Sequence, residues 1–217
     1  TLMRVILDTH PNVRCGEETI ILLKFFQLME KYNLTTTMKE ENELIDNANR
    51  AFVSNLINNR EFSDKLMNNQ TVIECVKDPL ILLQMTYISK LFPKSKFIYM
   101  IRNGLYSSYS FMNKQVKYFN NNKTKFDLFV QYLIKWNEWN EKINIQCSKL
   151  GKNICIRIRY EDLVTKTNET LHNLTKFINV KWTNDLLRHD EFIGKTKRIA
   201  LKENSWSSDQ VKKAIYK

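Results

Sequence analysis

Three pairs of polar residues stand at the ends of short β-branched or aromatic runs, and each pair has the chemistry to hold an anion or move a proton. Lys77-Asp78 follows TVIECV, Arg102-Asn103 follows KFIYMI, and Glu161-Asp162 follows ICIRIRY, which ends in Tyr160. An ammonium at Lys77, just before a helix start, could reach an anion held by that helix's free N–H groups; a surface lysine at a turn is the plainer alternative. Arg102 offers a planar fork of donors suited to phosphate, and the Ser110 hydroxyl, about two helical turns on, adds one more. Taken alone, such a pair is more often structural. Glu17-Glu18 opens a helix after Gly16. Acids in a first turn complement the helix dipole, so capping is the default, and a base role needs one of them inside a cleft. Ser207-Ser208-Asp209 reads as a turn, or as a flap laying hydroxyls on the same anion. His10, His172 and His189 are isolated, and the chain has no metal-ligand cluster, Ser-His-Asp arrangement or GxxxxGK[ST] loop.

These residues need elements to position them. Apolar spacing predicts helices over 2–9, 17–32 and 42–59, a strand over 71–76, a helix opened by Asp78-Pro79 and running to about 91, and a strand over 96–101. A helix to about 116 follows, then a long one over 126–150 holding Trp136 and Trp139 and closed by Gly151, a strand over 154–160, and helices over 168–178 and 184–189. Beyond 195 there is no clear periodicity. Strands separated by helices predict an α/β fold with a parallel sheet flanked by helices, in which ligands sit at the carboxyl ends of the strands. That rule makes the three polar pairs the site candidates. No repeat or second domain is visible, so residues 1–217 are expected to form one domain.

Composition narrows the class. The 217 residues are 43% hydrophobic with only 4 Gly and 3 Pro, which fits a globular core rather than a disordered or fibrous chain. No apolar run reaches the roughly 18 residues of a membrane span. The chain starts at Thr1 without the sections of a signal peptide, so an upstream segment is expected. Lys plus Arg number 34 against 23 acids, for a net charge of +11, which attracts polyanions. The basic residues are scattered, with no zinc-finger spacing, so nucleic acid is not expected as a partner. Cys15, Cys75, Cys147 and Cys155 form no CxxC pair, and spacing alone leaves two disulfides and four free thiols both open. Five Asn-x-Ser/Thr sequons begin at Asn33, Asn69, Asn122, Asn168 and Asn173, a slight pointer to secretion in an Asn-rich chain.

Longer motifs carry a resemblance. TLMRVILDTHPNVRCGEET, ECVKDPLIL and LFPKSKFIYMIRNG, then KWN at Lys135, RYEDLV at Arg159, IGK at Ile193 and SSDQV at Ser207, run in order along the chain. Together they resemble the tyrosylprotein sulfotransferases, also called protein-tyrosine sulfotransferases, from residue 1 to about 216. The resemblance implies a P-loop-type sulfotransferase fold, Golgi residence as a type II membrane glycoprotein, homodimers, and disulfides Cys15–Cys75 and Cys147–Cys155. It also implies sulfuryl transfer from 3′-phosphoadenosine 5′-phosphosulfate to tyrosines flanked by acidic residues in secreted or membrane proteins, with no metal. By the same resemblance Glu18 is the base, and Lys77 and Ser207 stabilise the bridging oxygen and transferring group. Arg102, Ser110 and Tyr160 hold the 3′-phosphate and adenosine, with Thr1, Lys114 and the stretch Ser207, Ser208, Asp209, Gln210, Val211 and Lys213 as further donor contacts.

Departures from the family pattern are specific. Thr1 matches only the last residue of the family's phosphosulfate loop, which implies that this loop, the first strand and the membrane anchor lie upstream, and that the domain's end lies beyond Lys217. Ile20 and Lys114 replace arginines, Val76, Asn103 and Trp206 replace Asn, Asp and Arg, and the loop around Asn120 is several residues longer. A catalytically silent relative that binds acidic peptides or partner subunits is the alternative. A carbohydrate or small-molecule sulfotransferase is disfavoured by the cysteine pattern and the Glu-Glu-Thr segment.

Overall fold

In a computed structural model the described residues are 2–15, 21–31, 41–58, 73–78, 80–115 and 124–193. The chain opens with α1 (Leu2–Thr9) and β1 (Val13–Cys15), followed by α2 (Ile21–Lys31), α3 (Glu41–Asn58) and β2 (Ile73–Cys75). A 3-10 turn at Ile81–Gln84 leads into α4 (Met85–Leu91), then β3 (Phe97–Ile101), α5 (Gly104–Gln115) and α6 (Lys125–Leu150). After β4 (Cys155–Arg159) come α7 (Tyr160–Thr165), α8 (Thr167–Ile178) and 3-10 turns at Asn184–Leu187 and His189–Phe192.

The expected α/β alternation with parallel strands is present, but the described strands form two two-stranded sheets rather than one: β1 pairs with β2, and β3 with β4. Cys15 pairs with Cys75 in the first, and Ile101 with Arg159 in the second. Ile73 and Cys75 from one sheet and Ile98, Met100 and Ile156 from the other pack against the same core. Every residue of α1 is buried, and its apolar side chains meet Leu163, Leu171, Leu174, Leu186 and Ile193 there. Near 25 cal/mol per Å², such side chains contribute roughly 1.5–3 kcal/mol each, which outweighs the cost of burying Arg4 and Asp8 with them. Asp8 offsets that cost in part by accepting the Cys15 N–H at 3.1 Å.

The spine of the other half is α6. Thr124 and Asp127 form a reciprocal capping box at its start, and Gly151, at φ 81°, ends it in a conformation that favours glycine. Along its length Asn140 accepts the Tyr99 hydroxyl at 2.5 Å, and Gln146 accepts the Thr86 N–H at 3.0 Å. Burial, the largest cause, pushes the Tyr99 phenol up to about 12. Both implied disulfides are present, Cys15–Cys75 across paired positions of β1 and β2 and Cys147–Cys155 between α6 and β4. The free-thiol alternative is thereby excluded.

Other expectations need correction. The strand expected over 154–160 stops at Arg159, and Tyr160 opens the unforeseen helix α7, whose first turn holds the dipole-complementing Glu161 and Asp162. The helix expected from Asp78 starts as a 3-10 turn at Ile81 and becomes α-helical only at Met85, because the Asp78 carboxylate accepts the Leu80 N–H at 3.2 Å in a turn that delays the ladder. The helix expected over 184–189 is two 3-10 turns. β1 was not expected at all; its three residues are too few to show a period, and it exists through pairing with β2.

Candidate functional site at the strand ends

Parallel pairing of Ile101 with Arg159 brings two strand exits side by side, so the residues that follow each become neighbours. The Arg102 guanidinium lies over the Tyr160 ring, 4.9 Å from its centroid. Stacking there holds the cation in place without consuming its N–H donors, and Arg102 itself is exposed. Next to it, the Asn103 N–H donates to Glu161 Oε1 at 2.8 Å, while the Asn103 side-chain oxygen accepts the N–H groups of Leu105 and Tyr106 at 3.0 and 3.3 Å. Asn103 is therefore the N-cap of α5, and Glu161 ties that cap to the start of α7.

Partial burial alone would raise the Glu161 carboxyl. The bonds from the backbone N–H groups of Asn103 and Glu161 itself, with the Arg159 and Arg102 guanidiniums, outweigh it and hold the group below its ordinary range. Arg159 approaches it at 3.7 Å. The resulting site has a stacked, solvent-facing guanidinium beside a helix N-terminus, a geometry suited to a phosphate group.

The candidates named from sequence distribute as follows. Arg102 and Tyr160 are brought into contact, and Ser110 lies half-buried on α5, the helix that starts beside them, with Lys114 one turn further along. Lys77 is half-buried two residues beyond β2, on the other sheet, next to the buried Asp78. Thr1, Glu18, Ile20, Ser207, Ser208, Asp209, Gln210, Val211 and Lys213 lie outside the described residues, as do Pro79, Trp206 and the loop around Asn120. Sequence reasoning flagged Glu161 and Asn103 only as polar residues after strands and missed their bracing role. The available signal was Asn-Gly at a helix start, since Asn is a favoured N-cap. Among the described residues there is no group of three or more His, Cys, Asp or Glu that could hold a metal ion, and no helix long and apolar enough to cross a membrane.

Comparison with known proteins now decides the family. A sequence model of the Sulfotransferase family matches residues 1–184. The chain belongs to the sulfotransferase family. Relatives of this family member include protein-tyrosine sulfotransferase 2 of Gallus gallus and protein-tyrosine sulfotransferase 1 of Homo sapiens, each 33% identical over 99% of the chain and 57% of the relative. The Drosophila melanogaster protein-tyrosine sulfotransferase is also 33% identical, over 99% of the chain and 42% of its own length. A Caenorhabditis briggsae relative, 33% identical, is spanned over 73% of its length. The chain thus spans somewhat over half the length of the vertebrate relatives. A solved structure titled Sulfotransferase Domain from the Curacin Biosynthetic Pathway superposes with a TM-score of 0.57 at 20% identity, covering 91% of this chain and 74% of the other, so the sulfotransferase fold is shared.

Proposed function

We propose that this chain is part of a protein-tyrosine sulfotransferase, which moves a sulfuryl group from 3′-phosphoadenosine 5′-phosphosulfate to tyrosine hydroxyls in acidic contexts of secreted or membrane proteins. The observation that carries this reading is 33% identity to proteins of that name over 99% of the chain. The stacked Arg102 beside the α5 N-terminus supports it, because a nucleotide donor with a 3′-phosphate needs a fixed, accessible cation. In this reading Arg102, Ser110 and Tyr160 hold the 3′-phosphate and adenosine. Sulfuryl transfer forms a bond from the tyrosine oxygen to sulfur and breaks the bond from sulfur to the bridging oxygen, whose electron pair leaves with the 5′-phosphate. A phenol of pKa about 10 is a poor nucleophile at neutral pH; Glu18 takes its proton as the new bond forms, worth roughly 10²–10⁴-fold. Lys77 and Ser207 offset the charge that builds on the leaving oxygen.

The net charge of +11 favours acidic acceptors. The two disulfides support folding in an oxidising lumen, in line with a Golgi type II membrane protein working as a homodimer. The test is calorimetric titration of the full-length protein with 3′-phosphoadenosine 5′-phosphate. Arg102→Ala removes charged hydrogen bonds worth roughly 1.5–3 kcal/mol, so binding should weaken about 10- to 100-fold. Absence of binding by the unmutated full-length protein would instead favour a catalytically silent relative.

A further inference from the structure

Two of the five sequons lie in α8, as Asn168-Glu169-Thr170 and Asn173-Leu174-Thr175. The inner face of that helix, formed by Leu171, Leu174 and Thr175, is buried in the core, while Asn168 and Asn173 are both exposed. At roughly 100° per residue, Asn173 stands roughly 200° from Leu171, in the middle of the outer face with Glu169 and Lys176. Asn168 stands in the first turn, where its backbone carbonyl accepts from His172 Nδ1 at 2.9 Å. Among the described residues neither side-chain amide makes a hydrogen bond. The amides of Asn49 and Asn140, in contrast, are engaged within the fold. A group attached to Asn168 or Asn173 would project into water without breaking a native contact.

The disulfides supply the second observation. Cys15–Cys75 and Cys147–Cys155 require an oxidising compartment, which is also where sequons acquire sugar. We propose that the outer face of α8 is a glycan-bearing face, with Asn168 and Asn173 as N-linked acceptor sites; this rests on the lumenal location proposed above. In the reaction Nδ2 of the asparagine loses one proton and bonds to the anomeric carbon of an oligosaccharide carried on a lipid pyrophosphate. The bond from that carbon to the pyrophosphate oxygen breaks, and its electron pair leaves with the lipid pyrophosphate.

The fold also sets the timing. The Thr175 hydroxyl is buried and donates to the His172 carbonyl at 3.0 Å, and the Thr170 hydroxyl donates to the Asp162 carbonyl at 3.2 Å. A sequon is defined by its hydroxyl as much as by its asparagine, and α8 withdraws both hydroxyls once it packs. Both sites are therefore modified before α8 docks, and a glycan there keeps other proteins off this side of the molecule.

To test this, the full-length protein is expressed in eukaryotic cells, purified from their membranes and digested with peptide-N-glycosidase in heavy-oxygen water. Mass spectrometry then locates each asparagine converted to labelled aspartate. Label is expected at both 168 and 173, with Asn168→Gln and Asn173→Gln each removing one step of the mobility shift and leaving the melting temperature within a few degrees. Label at one position alone upholds the glycan face with a single acceptor. Unlabelled asparagine at both positions, in protein whose disulfides are formed, overturns the proposal while the lumenal location stands. Recovery of the protein with free thiols would overturn the location itself, and the proposal with it.

Discussion

At the scale of single residues, the candidate site depends on how Glu161 is used. Its carboxylate accepts the Asn103 N–H, which fixes the α5 cap, and sits near two guanidiniums without neutralising the exposed Arg102. Because its folded pKa lies below the unfolded value, its contribution to stability is complete above the ordinary carboxylate range, near about 4.3, and is lost as pH falls through and below it. Glu161→Gln keeps an acceptor for Asn103 but does not titrate. Urea unfolding followed from neutral pH down to about pH 3 should therefore show a smaller acid loss in Glu161→Gln than in the unmutated chain. Parallel loss in both would mean that the acid-sensitive group lies elsewhere.

At the scale of elements, close packing of α5 on α6 is enforced by a missing side chain. Gly104 starts α5, and a Cβ placed there would lie 2.8 Å from the Trp136 ring of α6. A rigid indole wedged between helices cannot give way as the end of a lysine would. Gly104→Ala should therefore cost on the order of 1–3 kcal/mol and displace the α5 N-terminus together with Arg102. The check is paired: a lowered urea midpoint and weaker nucleotide binding in the same variant. An unchanged midpoint would show that α5 and α6 can separate freely.

Legibility in the sequence followed element length. Helix α6, 26 residues with a cap at each end, was readable almost to the residue, since many turns repeat the same apolar face. The three-residue β1 was not, because its order comes from a partner some sixty positions away. The 3-10 turn before α4 was lost to a local competitor, the Asp78 side chain, that a periodicity argument does not weigh. For the site, the polar-residue rule pointed to Arg102, while Tyr160 entered only through the resemblance; which strands pair, and therefore that these two touch, is a non-local fact. The disulfide pairing came from the resemblance and not from spacing, and the structure bears it out.

At the scale of the whole molecule, two crosslinks of unequal reach hold the chain together. Cys15–Cys75 closes a separation of 60 residues and Cys147–Cys155 one of 8. Loop-closure entropy assigns roughly 4 kcal/mol to the first and roughly 2.5 kcal/mol to the second. A Cys15→Ser/Cys75→Ser pair should therefore lower stability more than Cys147→Ser/Cys155→Ser, measured by denaturant unfolding of each. The reverse order would mean that local packing of Cys147 and Cys155, both almost fully buried, outweighs chain entropy.

The complete burial of α1 has a consequence in time. Its apolar face is closed by Leu186 and Ile193, which leave the ribosome long after Leu7. At roughly 5–20 residues per second, the interval is roughly 10–40 s. During it only early partners such as Val13 and Cys15 are available to the first helix, and the part that Leu186 and Ile193 later cover stays open to a holding chaperone. Translation speed, and not only the finished fold, should set how much of this protein escapes aggregation.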